Sequence, residues 1–419
     1  MFLELSEVVK QKVIATTRRR FSRYPDVFTK MYAFTRANTA RALGYYPYFL
    51  PIEDTDATEV ILHGKKVVML GSNNYLGLTN HPDVIQAGVD ALKKYGAGLT
   101  GSRFLNGNTV LHEELEARLA AFVGKEAALV FSTGFGVNLG VIAATVGPGD
   151  TLFTDELNHA SIVDGTRFSR ATVSRFRHND MADLEAKLAM AHENKGRLIV
   201  TDGVFSMEGD IINLPEVTRL AHRYGARVMV DDAHALGVLG PQGQGTAAHF
   251  GVTAETDLIM GTFSKSLSGL GGFIAGDRLV IDYLKHHART MIFTASLPPA
   301  TVATVMKALE IVQAEPERRE KLWENSRYMK VELEKMGFDT GTSESPIIPI
   351  IVGEDRRTFN MWRSLLEAGV YTNPVISPAV PKGRSLLRTS YMATHTREQL
   401  EFCLEQLRLI GRKYRLIRD

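Results

Sequence analysis

The sequence predicts an α/β protein: a large, mainly parallel sheet with helices on both faces, followed by a smaller C-terminal α/β unit. Three observations predict it. From about residue 60 to 295, short apolar runs alternate with amphipathic segments, the signature of strands joined by crossover helices. Residues able to do chemistry follow those runs directly, at the strand ends where such sheets bind ligands. After Pro298-Pro299 the pattern changes to a long helix and then to shorter alternating elements. The 419 residues are 44% hydrophobic and 23% charged, ordinary globular usage and enough chain for two or three units.

In chain order, residues 1–60 read as an N-terminal helical arm and dimer contact. Its first 50 residues hold nine Lys or Arg against Glu4, Glu7 and Asp26, and run into Tyr45-Tyr46-Pro47-Tyr48-Phe49. A basic helical arm packs on another subunit or attaches peripherally to an anionic membrane surface, and both readings stay open. Residues 61–299 form the large unit. Its strands are expected at Ala127–Phe131, Thr151–Thr154, Thr172–Phe176, Leu198–Thr201, Arg227–Val230, Leu258–Gly261 and Gly272–Ala275, with helices such as Ala182–His192 and Pro215–Tyr224 between them. The uncharged stretch Ala127–Gly149 is long enough to span a bilayer. Ser132-Thr133-Gly134, Gly136 and Gly147-Pro148-Gly149 break it, so it reads as a strand, a turn and a buried helix. Residues 300–419 form the smaller unit, with a helix over Ala300–Val312, alternating segments at Pro346–Val352 and Phe359–Glu367, and a last helix opened by a capping box of Thr396 and Gln399.

Composition excludes some classes. With 49 basic and 47 acidic residues, no whole-protein field favours nucleic acid. The single cysteine, Cys403, forms no intrachain disulfide and sits among Leu400, Leu404 and Leu407 at helical spacing, so core packing is expected. Acids near the start oppose a secretory signal, and the chain is expected in the cytoplasm, at most peripheral at the inner membrane surface.

The strand-end residues converge on one chemistry. Val228-Met229-Val230 leads to Asp231-Asp232-Ala233-His234, Leu258-Ile259-Met260 to Gly261-Thr262-Phe263-Ser264-Lys265-Ser266, Leu129-Val130-Phe131 to Ser132-Thr133-Gly134-Phe135, and Thr154 to Asp155-Glu156-Leu157-Asn158-His159. One crevice then holds a phosphate cradle, an acid, two histidines and a lysine. Pyridoxal 5′-phosphate (PLP) asks for that set: a lysine amine for its aldehyde, a carboxylate to keep its ring nitrogen protonated, N–H groups and hydroxyls for its phosphate, and a flat side chain over the ring. Each piece alone is ordinary; an Asp ending a strand is more often a helix cap, and a Lys after Ser is usually a surface residue. Their order at successive strand ends is what carries the reading. No metal is expected.

The segments Asp231-x-Ala233-His234, Gly261-Thr262-Phe263-Ser264-Lys265-Ser266 and Gly271-Gly272-Phe273 resemble the α-oxoamine synthase family of fold-type I PLP enzymes, from about Tyr46 to Gly411. Further blocks resemble its bacterial serine palmitoyltransferase branch: Gly71–Leu78, Gly101–Gly107, Arg177-His178-Asn179-Asp180-Met181, Gly203–Asp210, Phe293–Pro299 and Leu386-Leu387-Arg388-Thr389-Ser390.

The resemblance implies that Lys265 and His159 are catalytic, Lys265 as the Schiff-base lysine and His159 stacked on the cofactor ring. Asp231 would partner the pyridine nitrogen, with His234 and Ser206 near the ring hydroxyl. Gly134, Phe135, Thr262 and Ser264 would hold the phosphate, with Thr294 reaching in from the second subunit of a homodimer that shares its sites. Arg388 would take the substrate carboxylate, with Asn74 and Ser102 lining the substrate region. The implied reaction is a decarboxylating condensation of L-serine with a long-chain acyl-CoA such as palmitoyl-CoA, giving 3-oxosphinganine. Glycine or alanine with a shorter acyl-CoA, transamination, and a non-catalytic synthase subunit are the alternatives. Asp232 and Ala235 stand where the family usually has Glu and Ser, and Ile376 where some members have an Arg, which leaves the carboxylate to Arg388.

Overall fold

The computed structural model describes residues 26–191 and 195–418. Most of the basic arm, from Lys10 to Arg23, lies outside the described residues. Three short strands come first, β1 (Asp54–Thr55), β2 (Glu59–Leu62) and β3 (Lys65–Met69). The large sheet follows with β4 (Ala127–Phe131), β5 (Thr151–Asp155), β6 (Thr172–Phe176), β7 (Arg197–Asp202), β8 (Arg227–Asp231), β9 (Leu258–Thr262) and β10 (Gly272–Gly276). Every strand expected here forms, most of them running one residue further than their apolar run because the polar residue at the end still pairs.

The seven strands lie in the order β4-β10-β9-β8-β7-β5-β6. β10 is antiparallel to both of its neighbours, and β9, β8, β7, β5 and β6 pair in parallel. Side chains alternate across each strand and so feed two cores. Val130, Phe153, Ile199, Val228 and Ile259 enter one core, which also takes the buried faces of helices Val110–Phe122, Leu214–Tyr224 and Pro299–Ala314. Leu129, Leu152, Leu198, Met229 and Leu258 enter the other, covered by helices Gly134–Thr145 and Arg278–His287. Being buried on both faces is why these strands read as continuous apolar runs. The uncharged stretch Ala127–Gly149 is β4, a turn and the helix Gly134–Thr145, as expected. Among the described residues no helix is long and apolar enough to cross a membrane.

The C-terminal part holds β11 (Ile347–Gly353), β12 (Val370–Tyr371), β13 (Asn373–Val375) and β14 (Ser385–Ser390). β11, β14 and β13 form an antiparallel sheet, while β12 joins β1-β2-β3 by parallel pairing to β3. Residues 54–69 therefore pack with the C-terminal elements, and the boundary expected after residue 60 falls inside β2. Helix Pro299–Ala314 begins at the second expected boundary and buries Val302, Val305 and Leu309 in the core of the large sheet. The last helix, Arg397–Lys413, opens with the expected capping box: Gln399 N donates to Thr396 Oγ1 at 3.2 Å, and Thr396 N to Gln399 Oε1 at 3.1 Å. Cys403 is fully buried in it.

Loop 101–108 is held by a buried ion pair. The Arg103 guanidinium pairs with Glu116, whose Oε1 also accepts Val130 N of β4 at 2.8 Å, and the two side chains are only 6% and 12% exposed. Arg103→Met leaves Glu116 buried without its cation and is expected to cost about 3–5 kcal/mol. Urea unfolding followed by circular dichroism checks this; a loss below about 1 kcal/mol would show that the pair is solvated.

Candidate active site

Parallel pairing brings the carboxyl ends of β5, β7, β8 and β9 side by side, with Asp202 opposite Asp231 and Asp231 opposite Met260. A cavity of about 270 Å³ opens there. Gly134, Phe135, His159, Ser206, Asp231, His234, Thr262, Ser264 and Lys265, nine of the expected residues, line it.

Asp231 ends β8 and is 3% exposed. Its Oδ1 accepts Ala233 N at 2.9 Å and its Oδ2 accepts Asn138 Nδ2 at 2.6 Å. Asn138 lies on helix Gly134–Thr145, and its Nδ2 is also 2.8 Å from Ser161 Oγ. Asp202 ends β7 and accepts His159 N at 2.9 Å through Oδ2. Burial, and then the neighbouring Asp231, push the Asp202 carboxyl well above the usual carboxylate range, so that two carboxylates at adjacent strand ends need not both be charged.

His159 caps helix Ala160–Ser169, its Nδ1 accepting Ser161 N at 3.3 Å and lying 2.7 Å from Ser161 Oγ. An accepting Nδ1 assigns the ring proton to Nε2. Burial lowers the His159 pKa against the pull of Asp231, and Lys265 lowers it further. His234 bonds through Nδ1 to the Tyr75 hydroxyl at 2.7 Å, and burial, Lys265 and Arg388 push it well below the ordinary histidine value. Both imidazoles are neutral at pH 7. Burial also draws Lys265 down to about 8, opposed by Asp231 and helped by Arg388.

The far end of the cavity is built for an anion. Thr133 Oγ1 accepts Gly136 N at 2.9 Å, leaving the N–H groups of Gly134 and Phe135 at the helix start without an intrahelical partner. Thr262 Oγ1 stands 2.9 Å from Ser264 Oγ across that start. A Cβ on Gly134 would lie 2.7 Å from Thr262 Oγ1, so the cradle exists only with glycine. A phosphate site at one end, a carboxylate at the other, and a lysine and a flat neutral imidazole between them fit the phosphate, ring nitrogen, aldehyde and face of PLP.

Four expected residues lie outside this lining. Arg388, on β14 and 5% exposed, donates from Nε to Ser206 O at 2.6 Å and from Nη2 to Asn73 Oδ1 at 2.8 Å. It is close enough to lower the pKa values of both Lys265 and His234. Asn74 is engaged within its own turn, with Nδ2 on Thr79 Oγ1 at 2.8 Å and Oδ1 accepting Leu78 N at 3.1 Å. Ser102 bridges to Ala295 through its backbone, and Thr294 is exposed. Asp232 is buried behind the site, its Oδ2 accepting Thr246 N at 2.9 Å, and burial pushes its carboxyl up to about 7. Sequence reasoning did not single out Asp202 or Asn138. Asp202 ends a strand as Asp231 does and was open to the same rule; Asn138 carries no local sign, since only the folded helix points it at Asp231.

A family model for aminotransferase class I and II matches residues 65–407. A serine palmitoyltransferase from Sphingobacterium spiritivorum is 54% identical over 89% of this chain and 94% of its own length. An 8-amino-7-oxononanoate synthase from Thermoanaerobacter pseudethanolicus is 44% identical over 89% of this chain and 95% of its own. Among solved structures, a serine palmitoyltransferase variant from S. paucimobilis with a bound PLP–myriocin aldimine superposes with a TM-score of 0.91 at 38% identity, covering 94% of this chain and all of that one.

In cofactor-free protein the rate of amine labelling at Lys265, followed by peptide mapping, should reach half its maximum near pH 8, because the buried ammonium loses its proton early. A midpoint near the ordinary 10.5 would mean that the amine is solvated.

Proposed function

Since the chain belongs to the aminotransferase class I and II family, and resembles serine palmitoyltransferases more than 8-amino-7-oxononanoate synthases, we propose that it condenses L-serine with a long-chain acyl-CoA such as palmitoyl-CoA. The products are 3-oxosphinganine, CoA and carbon dioxide. The observation that carries the reading is the convergence of Lys265, Asp231, His159 and an anion-binding helix start in one cavity. The cofactor is pyridoxal 5′-phosphate, which when bound supplies a ring able to take up the electron pair left at the substrate Cα.

The chain's own residues do the rest. Lys265, with its pKa near 8, anchors the cofactor and is able to take the proton from the serine Cα close to neutral pH. Asp231, held from both sides by Asn138 and the Ala233 N–H, would keep a proton on the ring nitrogen. Gly134, Phe135, Thr262 and Ser264 would hold the phosphate, with Ser206 and His234 on the side of the ring hydroxyl. His159 would cover the ring, and its Nε2–H would donate to the thioester oxygen as negative charge develops there. Arg388 receives the serine carboxylate, for which its planar fork is suited. Asn74 and Ser102 shape the substrate side, with Asn74 acting through its turn. We divide the chain into the arm, the sheet unit and the C-terminal unit, with β1–β3 counted with the last and helix Pro299–Ala314 with the sheet. We place the reaction in the cytoplasm, with the basic arm available to an anionic inner-membrane surface.

Incubation with serine and palmitoyl-CoA should release carbon dioxide and a product of the mass of 3-oxosphinganine. Lys265→Ala should lose that activity by at least a thousandfold. A product formed from glycine or alanine instead would move the protein to another branch, and no product from any amino acid would leave a non-catalytic subunit.

We further assign a homodimer with shared sites. Phe135 and Leu270, both more than 40% exposed on the single chain, line the cavity, and Phe168 and Phe293, more exposed still, line a second pocket with Leu139 and Gly140 of the helix that starts at Gly134; exposed apolar side chains of this kind mark a contact surface. Thr294 follows Phe293 and is exposed, and in the dimer we assign it would enter a neighbour's phosphate site across a two-fold axis. Mixing Lys265→Ala chains with Thr294→Arg chains should recover activity, since one site of the mixed dimer carries neither defect. No recovery between exchanging dimers would confine each site to one chain.

A further inference from the structure

The block Arg177-His178-Asn179-Asp180-Met181 has no part in the chemistry above, yet His178 sits in an unusual place. It lies in the turn after β6, with its side chain 22% exposed. Nδ1 is 3.1 Å from Asp155 Oδ1, and Nε2 is 3.0 Å from Asp210 Oδ2. The ring meets Phe205 edge-on, with centroids 4.4 Å apart. Asp155 is otherwise saturated by N–H donors: its Oδ1 accepts Leu157 N and its Oδ2 accepts Asn179 N, both at 2.8 Å. Each Asp155 oxygen already accepts a backbone N–H, so the ring contact at 3.1 Å is one in which Nδ1 donates. Nε2 stands at hydrogen-bond distance from an oxygen of a second carboxylate, the arrangement of a ring that donates from both nitrogens.

From this geometry we propose that His178 is an imidazolium across neutral pH whose two N–H bonds tie the turn carrying His159 to the loop carrying Ser206, the residue whose carbonyl holds Arg388, making it a positioning residue for the amino-acid substrate. On one side, Asp155 ends β5 and fixes Leu157, two residues before His159. On the other, Asp210 closes a hairpin in which Phe205 N donates to Asp210 O at 3.0 Å and Gly209 N to Phe205 O at 2.9 Å. The next residue, Ser206, lines the cavity and its carbonyl receives Arg388 Nε. His159 and Arg388 approach the substrate from different units of the fold, and the His178 bridge sets the spacing between them. Its effect on serine rests on the function proposed above; its charge state does not.

The electrostatics agree. Burial draws the His178 ring down, but hydrogen bonds and charge from Asp155 and Asp210 outweigh it and lift the ring to about 10. The other charged groups facing it are Glu208, which its charge stabilises, and Glu156, whose Oε1 accepts His178 N at 3.1 Å. A histidine raised in this way contributes stability in full below pH 6.5, its unfolded value, and loses that contribution as the pH rises toward 10.

The test uses the full-length, cofactor-loaded enzyme. Nitrogen-15 spectra of its histidine rings, assigned by comparison with His178→Gln, should show both His178 nitrogens protonated from pH 6 to 9. A ring that becomes neutral near pH 6.5, or one nitrogen unprotonated throughout, would overturn the proposal. Kinetically, His178→Gln and the milder Asp210→Asn should each raise the serine KM about tenfold or more. The kcat should fall less, and the cofactor absorbance and the KM for acyl-CoA should stay near wild type. A serine KM within twofold of wild type in Asp210→Asn, or equal losses in both substrates' KM values, would reduce His178 to a structural staple. If wild type ignored serine, the function reading would fall while the spectra still decided the charge.

Discussion

The site depends on one constraint: the Asp231 carboxylate, almost wholly removed from water, must have both of its oxygens partnered. Burying a carboxylate is costly unless hydrogen bonds replace the water it loses. The Ala233 N–H and the Asn138 amide supply them, occupying both oxygens at 2.9 and 2.6 Å. The groups around it then divide the remaining charge. Asp202 is driven toward its neutral form, His159 and His234 stay neutral, and Lys265 is drawn to about 8. A buried site with one hydrogen-bonded carboxylate and one easily neutralised amine suits a reaction in which a proton leaves carbon and a negative charge must be spread and held.

The sheet makes that arrangement possible by stacking strand ends in register, so that residues far apart in sequence share a cavity wall. Glycine supplies the close approaches. A Cβ at Gly272, on the antiparallel β10, would lie 2.7 Å from Gly261 O and 3.0 Å from Gly134 Cα. Without a side chain there, β9, β10 and the start of helix Gly134–Thr145 close up, and the anion cradle comes within reach of Thr262. The two cores on either face hold the strands, and the polar chemistry is confined to their rim.

The C-terminal unit contributes Arg388 through β14, and the contact is made by the backbone: its Nε bonds the Ser206 carbonyl. Substrate recognition is thereby coupled to the loop 203–211, and that loop to the His178 bridge. Asp232 lies behind the cavity, where Gly203 and Gly245 leave it room; a Cβ on either would come within about 2.2 Å of its oxygens. Its side chain packs behind the site and does not line it. Ala235 is likewise buried core.

Much of this was written locally. The strands of the large sheet, the broken apolar stretch at Ala127–Gly149, the Thr396 capping box and the strand-end positions of Asp231, Lys265 and His159 follow from periodicity and turn chemistry, which act over a few residues. Other features could be settled only by tertiary contact. β1–β3 join the C-terminal unit because β12 pairs with β3, a partnership 300 residues distant in sequence that no local pattern encodes. Asn138 is an ordinary mid-helix residue until the helix turns it onto Asp231. Arg388 shows the same division: the residue type was legible, but the atoms it is bonded to, Ser206 O and Asn73 Oδ1, belong to loops that it meets only when both units fold. Sequence determined the elements and the chemical types at their ends; packing decided which charges survive, because burial and hydrogen-bond partners are properties of the assembled cavity.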